Sequence, residues 1–152
     1  MCVRRFEIFA DYFQFYVCDE TYVTDTAALW SSDSDPMLAV GPDLIAIGTV
    51  RNMLVPVEVE ILTTAPKPDA DAWDQIRDCG LRLASGALIV FGCTDDPDQA
   101  ERIAVPAGDY AARISHGGLN TLSEDGLDGD DRYRIQLWPG AVRPITVLKP
   151  RP

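Results

Sequence analysis

The chain of 152 residues is 47% hydrophobic and 24% charged, a balance typical of soluble globular proteins that excludes wholesale disorder and a low-complexity scaffold. Thirteen Lys and Arg against 24 Asp and Glu leave a formal net charge of −11, the reverse of the basic footprint that direct nucleic-acid binding needs. One domain spanning residues 1–152 is expected, long enough to bury about two-thirds of its extended surface without disulfide or metal staples.

At the start, Arg4 and Arg5 are followed by Glu7 and Asp11, which interrupt the roughly 7 to 15 apolar residues a signal peptide requires. The stretch Leu44 to Val59 is broken by Arg51, Asn52, Pro56 and Glu58, well short of the roughly 18 apolar residues of a membrane span. A cytoplasmic location away from membranes is expected. Cys2, Cys18, Cys79 and Cys93 stand apart without a paired spacing, so free thiols are expected in a reducing compartment.

Period-two alternation dominates the hydrophobic pattern. From Phe6 to Val17, aromatic and aliphatic residues alternate with Glu7, Asp11 and Gln14, which predicts one long strand with a bend near Ala10. Thr26 to Trp30 fits a short helix capped by Asp25 or Thr26. Pro36 to Gly41 fits a second helical turn with Asp35 as N-cap, Pro36 at the first position and Gly41 closing it. Strands are then predicted at Leu44 to Val50 and Val55 to Leu62.

A strand from about Gln75 to Leu83, paired through the Ser85-Gly86 turn with a strand at Ala87 to Cys93, is favoured over a helix at Asp71 to Cys79. Ile103 to Val105, Tyr110 to Ser115, Tyr133 to Trp138 and an edge strand at Ile145 to Leu148 complete the set. Tyr133, Ile135 and Leu137 are expected inward, with Arg132, Arg134 and Gln136 outward. About eight short strands with one or two helical turns read as an all-β, mostly antiparallel sandwich or barrel.

Catalytic signatures are absent. His116, the one histidine, precedes Gly117-Gly118 without a nucleophile frame, and reads as a strand-end residue before a glycine turn. One His and four dispersed Cys give no zinc spacing. Glu124 to Asp131 is dense in carboxylates but lacks the order of a twelve-residue calcium loop, and reads as an Asp-Gly turn. No phosphate-cradling glycine loop occurs. The expectation is a binding protein without metal or cofactor, not an enzyme.

The distribution of charge is more telling. Between Arg5 and Arg51 there is no Lys or Arg, while Glu7, Asp11, Asp19, Glu20, Asp25, Asp33, Asp35 and Asp43 accumulate. Glu124, Asp125, Asp128, Asp130 and Asp131 form a second base-free block, and Asp95, Asp96, Asp98 and Glu101 a third. Acids gathered on loops steer encounter with a cationic partner. The candidate contact residues are Asp19, Glu20, Asp25, Asp33 and Asp35, with Glu124, Asp125, Asp128, Asp130 and Asp131 as the competing patch. The alternative is a small-molecule or metal-dependent binding domain using an end pocket with His116 and the Asp125 to Asp131 loop.

Asp11-Tyr12-Phe13-Gln14-Phe15-Tyr16-Val17, then Arg51-Asn52, then Pro106-Ala107-Gly108-Asp109-Tyr110 occur in that order. Together they resemble the ComJ family of competence-associated proteins, over about Ile8 to Val147. The chain departs from the family at Ala65 to Ser85 and in the Asp-Gly loop near Asp125. The resemblance implies a small acidic inhibitor of a DNA-entry nuclease, hence a basic protein partner, with no catalytic residues to carry over. The matching residues Asp11, Tyr12, Gln14, Phe15, Arg51, Asn52, Pro106, Gly108 and Tyr110 also have structural readings. Tyr12 to Phe15 suits a strand buried on both sides, and Asn52 suits a positive-φ turn position, with Arg51 free to pair with Asp11.

Overall fold

The computed structural model describes residues 2–30 and 36–152. Among these, eleven strands form two sheets. In chain order they are β1 (Cys2–Phe9), β2 (Gln14–Asp19), β3 (Leu38–Val40), β4 (Leu44–Gly48), β5 (Leu54–Ile61) and β6 (Gln75–Leu83), then β7 (Ala87–Gly92), β8 (Ile103–Ala104), β9 (Gly108–Gly117), β10 (Arg132–Pro139) and β11 (Thr146–Lys149). One sheet has the order β1-β5-β10-β9-β6-β11 and the other β3-β4-β2-β7-β8. Pairing is antiparallel except between β5 and β10. Both sheets end in open edge strands, so the fold is a sandwich rather than a barrel.

The period-two pattern explains the core between the sheets. Val55, Val57 and Val59 of β5 and Tyr133, Ile135 and Leu137 of β10 face Phe15, Val17, Ile45, Ile47, Leu88 and Val90 of the opposite sheet. Each such side chain contributes roughly 1.5 to 3 kcal/mol by leaving water. The outer face of the five-stranded sheet carries Tyr16, Cys18, Leu44, Ala46, Ile89 and Phe91, and Tyr22, Leu29 and Trp30 cover it. The short helix α1 (Thr26–Leu29) forms as expected, and the Asp25 carboxylate accepts from Ala27 N at 3.0 Å.

The outer face of the six-stranded sheet is polar, and the segment between β5 and β6 lies across it. Arg113 donates to both Asp78 oxygens at 2.8 and 3.1 Å and to Pro66 O at 2.8 Å. Arg134 makes a two-pronged contact with Asp69. Outward-pointing Gln136 is therefore buried rather than wet.

Three local expectations are corrected. The first strand does not bend at Ala10. It stops at Phe9, and a tight turn with Phe13 N donating to Ala10 O at 3.0 Å sends β2 into the other sheet. Pro36 to Gly41 is not helical, because Leu38, Ala39 and Val40 pair with Ile47, Ala46 and Ile45 of β4; burial of Leu38 and Ala39 outweighs the Pro and Gly signals. Asp35, the expected cap, lies outside the described residues, as does Asp33. Finally, Ser85-Gly86 does not close a hairpin: β6 pairs with β9 and β11, and β7 with β2 and β8, so Gly86 at φ +76° carries the chain between sheets.

Candidate functional site

Strand β2 runs from one end of the sandwich to the other, a span of about 16 Å at the rise of an extended chain. Its start and finish separate the two groups of sequence candidates. At the Gln14 end stand the Ala10–Phe13 turn, the β4–β5 loop, the start of the β7–β8 loop and the loop before β10. At the Asp19 end stand Asp19, Glu20, Asp25 and Asp43, joined by the turn after β6.

A polar lock closes the Gln14 end. The Asp131 carboxylate accepts from Arg51 Nε at 2.7 Å and from the Tyr133 hydroxyl at 2.7 Å, and the Tyr133 oxygen accepts from Val50 N at 3.0 Å. Arg51 also donates to Leu127 O at 3.3 Å, tying the acidic loop to the β4–β5 loop. Arg51 thus pairs with Asp131 and not with Asp11. Burial and the adjacent carboxylate hold the Tyr133 phenol well above its usual range. Beside it, His116 donates from Nε2 to Gly48 O at 3.0 Å and accepts at Nδ1 from Gln75 Nε2 at 3.1 Å. Complete burial drives its pKa down to about 4, so the ring is neutral at pH 7. With both nitrogens engaged, it offers nothing to a ligand.

Above this lock the Ala10–Phe13 turn adopts an unusual backbone. Tyr12 lies at φ 57°, ψ 26° and Phe13 at φ 60°. Left-handed conformations cost non-glycine residues about 1 to 2 kcal/mol each. Among the described residues these are the only non-glycines with positive φ; Asn52 does not adopt it. The buried strand expected at Tyr12 to Phe15 is thus divided. Phe15 is fully buried against Tyr133, while Tyr12 is 70% and Phe13 51% exposed. Phe13 O accepts from Thr49 N and Ala10 N donates to Met53 O, both at 3.0 Å, so the turn is fixed to the β4–β5 loop. On its other flank Cys93 Sγ donates to Asp11 O at 3.2 Å and Gly92 N donates to Asp95 at 2.8 Å. A Cβ at Gly92 would lie 2.2 Å from Phe9 O, so only glycine permits this approach.

The sequence candidates therefore divide. Asp131 is buried within the lock, not displayed. Asp19 is likewise buried: it accepts from Thr21 N and Oγ1 and from Ser85 N and Oγ. Burial alone would raise its pKa, but these hydrogen bonds outweigh that and lower it. Both acids leave the exposed set for the same reason: their oxygens are consumed inside the chain. Glu20, Asp25, Glu124, Asp125, Asp128 and Asp130 remain exposed. Asp125 accepts from Ser123 Oγ and Leu127 N, which shapes the loop. Among the described residues, no three His, Cys, Asp or Glu side chains converge as a metal site. Of the family-motif residues, Asp11, Tyr12, Gln14, Phe15, Arg51 and Asn52 meet at the Gln14 end. Pro106, Gly108 and Tyr110 lie at the other, where the Tyr110 hydroxyl donates to Pro106 O at 2.6 Å.

A cleft of about 660 Å³ opens on the outer face of the six-stranded sheet, lined by Arg5, Glu58, Trp73, Asp130, Arg132 and Arg134 among others. The Arg132 and Arg134 guanidiniums stack on the Trp73 ring at 4.0 and 4.6 Å. No local sequence signal marks this site, because Trp73 sits in an irregular segment far from β10 in the chain. His116 takes no part in it.

The fold is that of a ComJ-like two-sheet sandwich. It is similar to the crystal structure of ComJ from Bacillus subtilis, an inhibitor of the DNA-degrading activity of NucA, with a TM-score of 0.61 and 14% identity over 92% of this chain and 96% of that one. It is also similar to the product of crocagin biosynthetic gene J, with a TM-score of 0.58 and 20% identity over 91% of this chain and 99% of that one. No family model and no curated protein sequence matches the chain.

Proposed function

We propose that this protein is a nuclease inhibitor that binds a basic protein partner through its acidic loops and lacks catalytic activity of its own. The observation that carries the reading is the ComJ-like fold over 92% of the chain, joined to a net charge of −11 with base-free loops. Carboxylates on those loops take the place of DNA phosphates in a basic cleft, so the inhibitor itself has no affinity for DNA. Among the described residues no helix is long and apolar enough to cross a membrane, and the proposed site of action is the cytoplasm.

The test is cleavage of DNA by a DNA-entry nuclease from the same source, with the protein in excess, at low and high salt. Inhibition that weakens with salt supports electrostatic steering. Cleavage untouched at both salts overturns the reading. The cleft around Trp73 supports a second reading, small-molecule binding on the outer sheet face, and a change in tryptophan fluorescence on titration with candidate ligands that is lost in Trp73→Phe would report it.

A further inference from the structure

We infer that the Ala10–Phe13 turn is the apolar anchor of the partner interface, with Tyr12 and Phe13 inserting into an apolar pocket rimmed by Lys and Arg on a basic protein. This inference rests on the nuclease-inhibitor reading and adds where, and by which side chains, the partner is gripped.

Three observations carry it. First, two consecutive aromatic residues occupy the left-handed region and are directed into solvent, 70% and 51% exposed. Neither strain nor aromatic exposure benefits the free chain, and exposed strain held by surrounding bonds is a mark of a working surface. Second, the turn is rigidly mounted: bonds to Thr49 and Met53 hold one side and Asp11 O to Cys93 the other. A preorganised aromatic loses little conformational freedom on binding, which is why Tyr and Phe side chains make efficient contact groups. Phe9 and Leu54, register partners on β1 and β5, add exposed apolar surface beside it.

Third, charge identifies the occupant. Acids from all three blocks meet at this turn, with Asp11 of the first lying within it. Asp95 flanks Gly92 on one side, and the Asp125–Asp130 loop is tied through Leu127 and Arg51 on the other. Arg51, the base of the β4–β5 loop to which the turn is tied, is spent on Asp131. An apolar centre ringed by carboxylates is complementary to a protein pocket ringed by cations, with the aromatics as the tightly held core and the acids as the rim.

The experiment measures inhibition of the DNA-entry nuclease and the association and dissociation rates of its complex. The variants are Tyr12→Gly, Phe13→Gly and their double, with Tyr12→Phe as the conservative control. Glycine suits positive φ, so the glycine variants should melt no lower than the parent while the double weakens binding at least 100-fold. The loss should lie in the dissociation rate with the salt dependence unchanged, and Tyr12→Phe should stay within threefold. If the parent inhibits and the double variant inhibits equally well, the anchor is overturned and the nuclease reading stands. If the parent neither binds nor inhibits the nuclease, both fall together. A double variant that loses inhibition only by unfolding would show a lowered melting temperature, and would refute the strained, exposed turn on which the inference depends.

Discussion

Asp19 and Asp131 occupy opposite ends of the sandwich, equally buried and equally acidic in sequence, yet their surroundings differ. Asp131 faces a cation, Arg51, and a phenol, whereas Asp19 is satisfied by neutral donors from Thr21 and Ser85. The contrast teaches that net charge is a poor guide to what each acid does. A carboxylate opposite a partly buried guanidinium is half of a unit whose other half becomes costly when left alone. A carboxylate wrapped by hydroxyls and amides is a cap for two turns, exchangeable for another acceptor at lower cost.

The comparison can be broken or sharpened in order of effect. Phe15→Ala, removing the ring that supports Tyr133 under the Gln14 end, should cost roughly 3 to 5 kcal/mol. A melting temperature within a few degrees of the parent would place Phe15 outside the core. Asp131→Asn should cost about 3 kcal/mol by stranding Arg51. Pairing it with Arg51→Met should restore part of that loss in a double-mutant cycle. Simple additivity of the two would mean the ion pair contributes little.

His116 belongs to the same end and gives a pH signature. Its folded pKa, about 4, lies below the ordinary value of 6.5. Its contribution is therefore intact above about pH 6.5 and declines as pH falls toward 4, because the unfolded chain takes up the proton first. The loss should reach roughly 2 kcal/mol between pH 6.5 and 5. With one histidine in the chain, its imidazole resonance in the folded protein reports this directly, and should stay constant from pH 8 to 5. A midpoint near 6.5 would mean that the ring is exposed. Smallest of all, Asp19→Asn should cost only about 1 kcal/mol in urea unfolding, since the amide oxygen still accepts from Ser85 or Thr21. A loss equal to that of Asp131→Asn would erase the distinction between the two ends.

Much of the sheet structure was legible in the sequence, because β-branched and aromatic alternation marks a half-buried strand wherever it occurs. Thus the pattern marks β6 at Gln75 to Leu83 and the inward faces of Tyr133, Ile135 and Leu137. Sheet membership was not legible. Nothing local distinguishes a turn that closes a hairpin from one that, like Ser85-Gly86, crosses between layers. The candidate site was half legible. Charge runs located the acidic loops and the motif order located the turn. But Tyr12 and Phe13 carry the same aromatic character as buried Phe15, and their outward display is set by backbone geometry that bulky residues rarely adopt. The Arg51–Asp131 bond joins residues far apart in the chain, and no periodicity records it.

The order of strands also bears on how the chain folds. Among the described residues, the pairings that join neighbours in sequence are β3 with β4, β7 with β8 and β9 with β10. The central β10 enters between β5 and β9, joining the two parts of the six-stranded sheet only after most of the chain exists. Closing such distant loops must precede the contacts that reward it, so refolding in the millisecond-to-second range is expected rather than microseconds. Until β10 arrives, the β1–β5 pair presents a bare apolar edge. Mutual repulsion among so many acids keeps such half-built chains from finding one another during that wait.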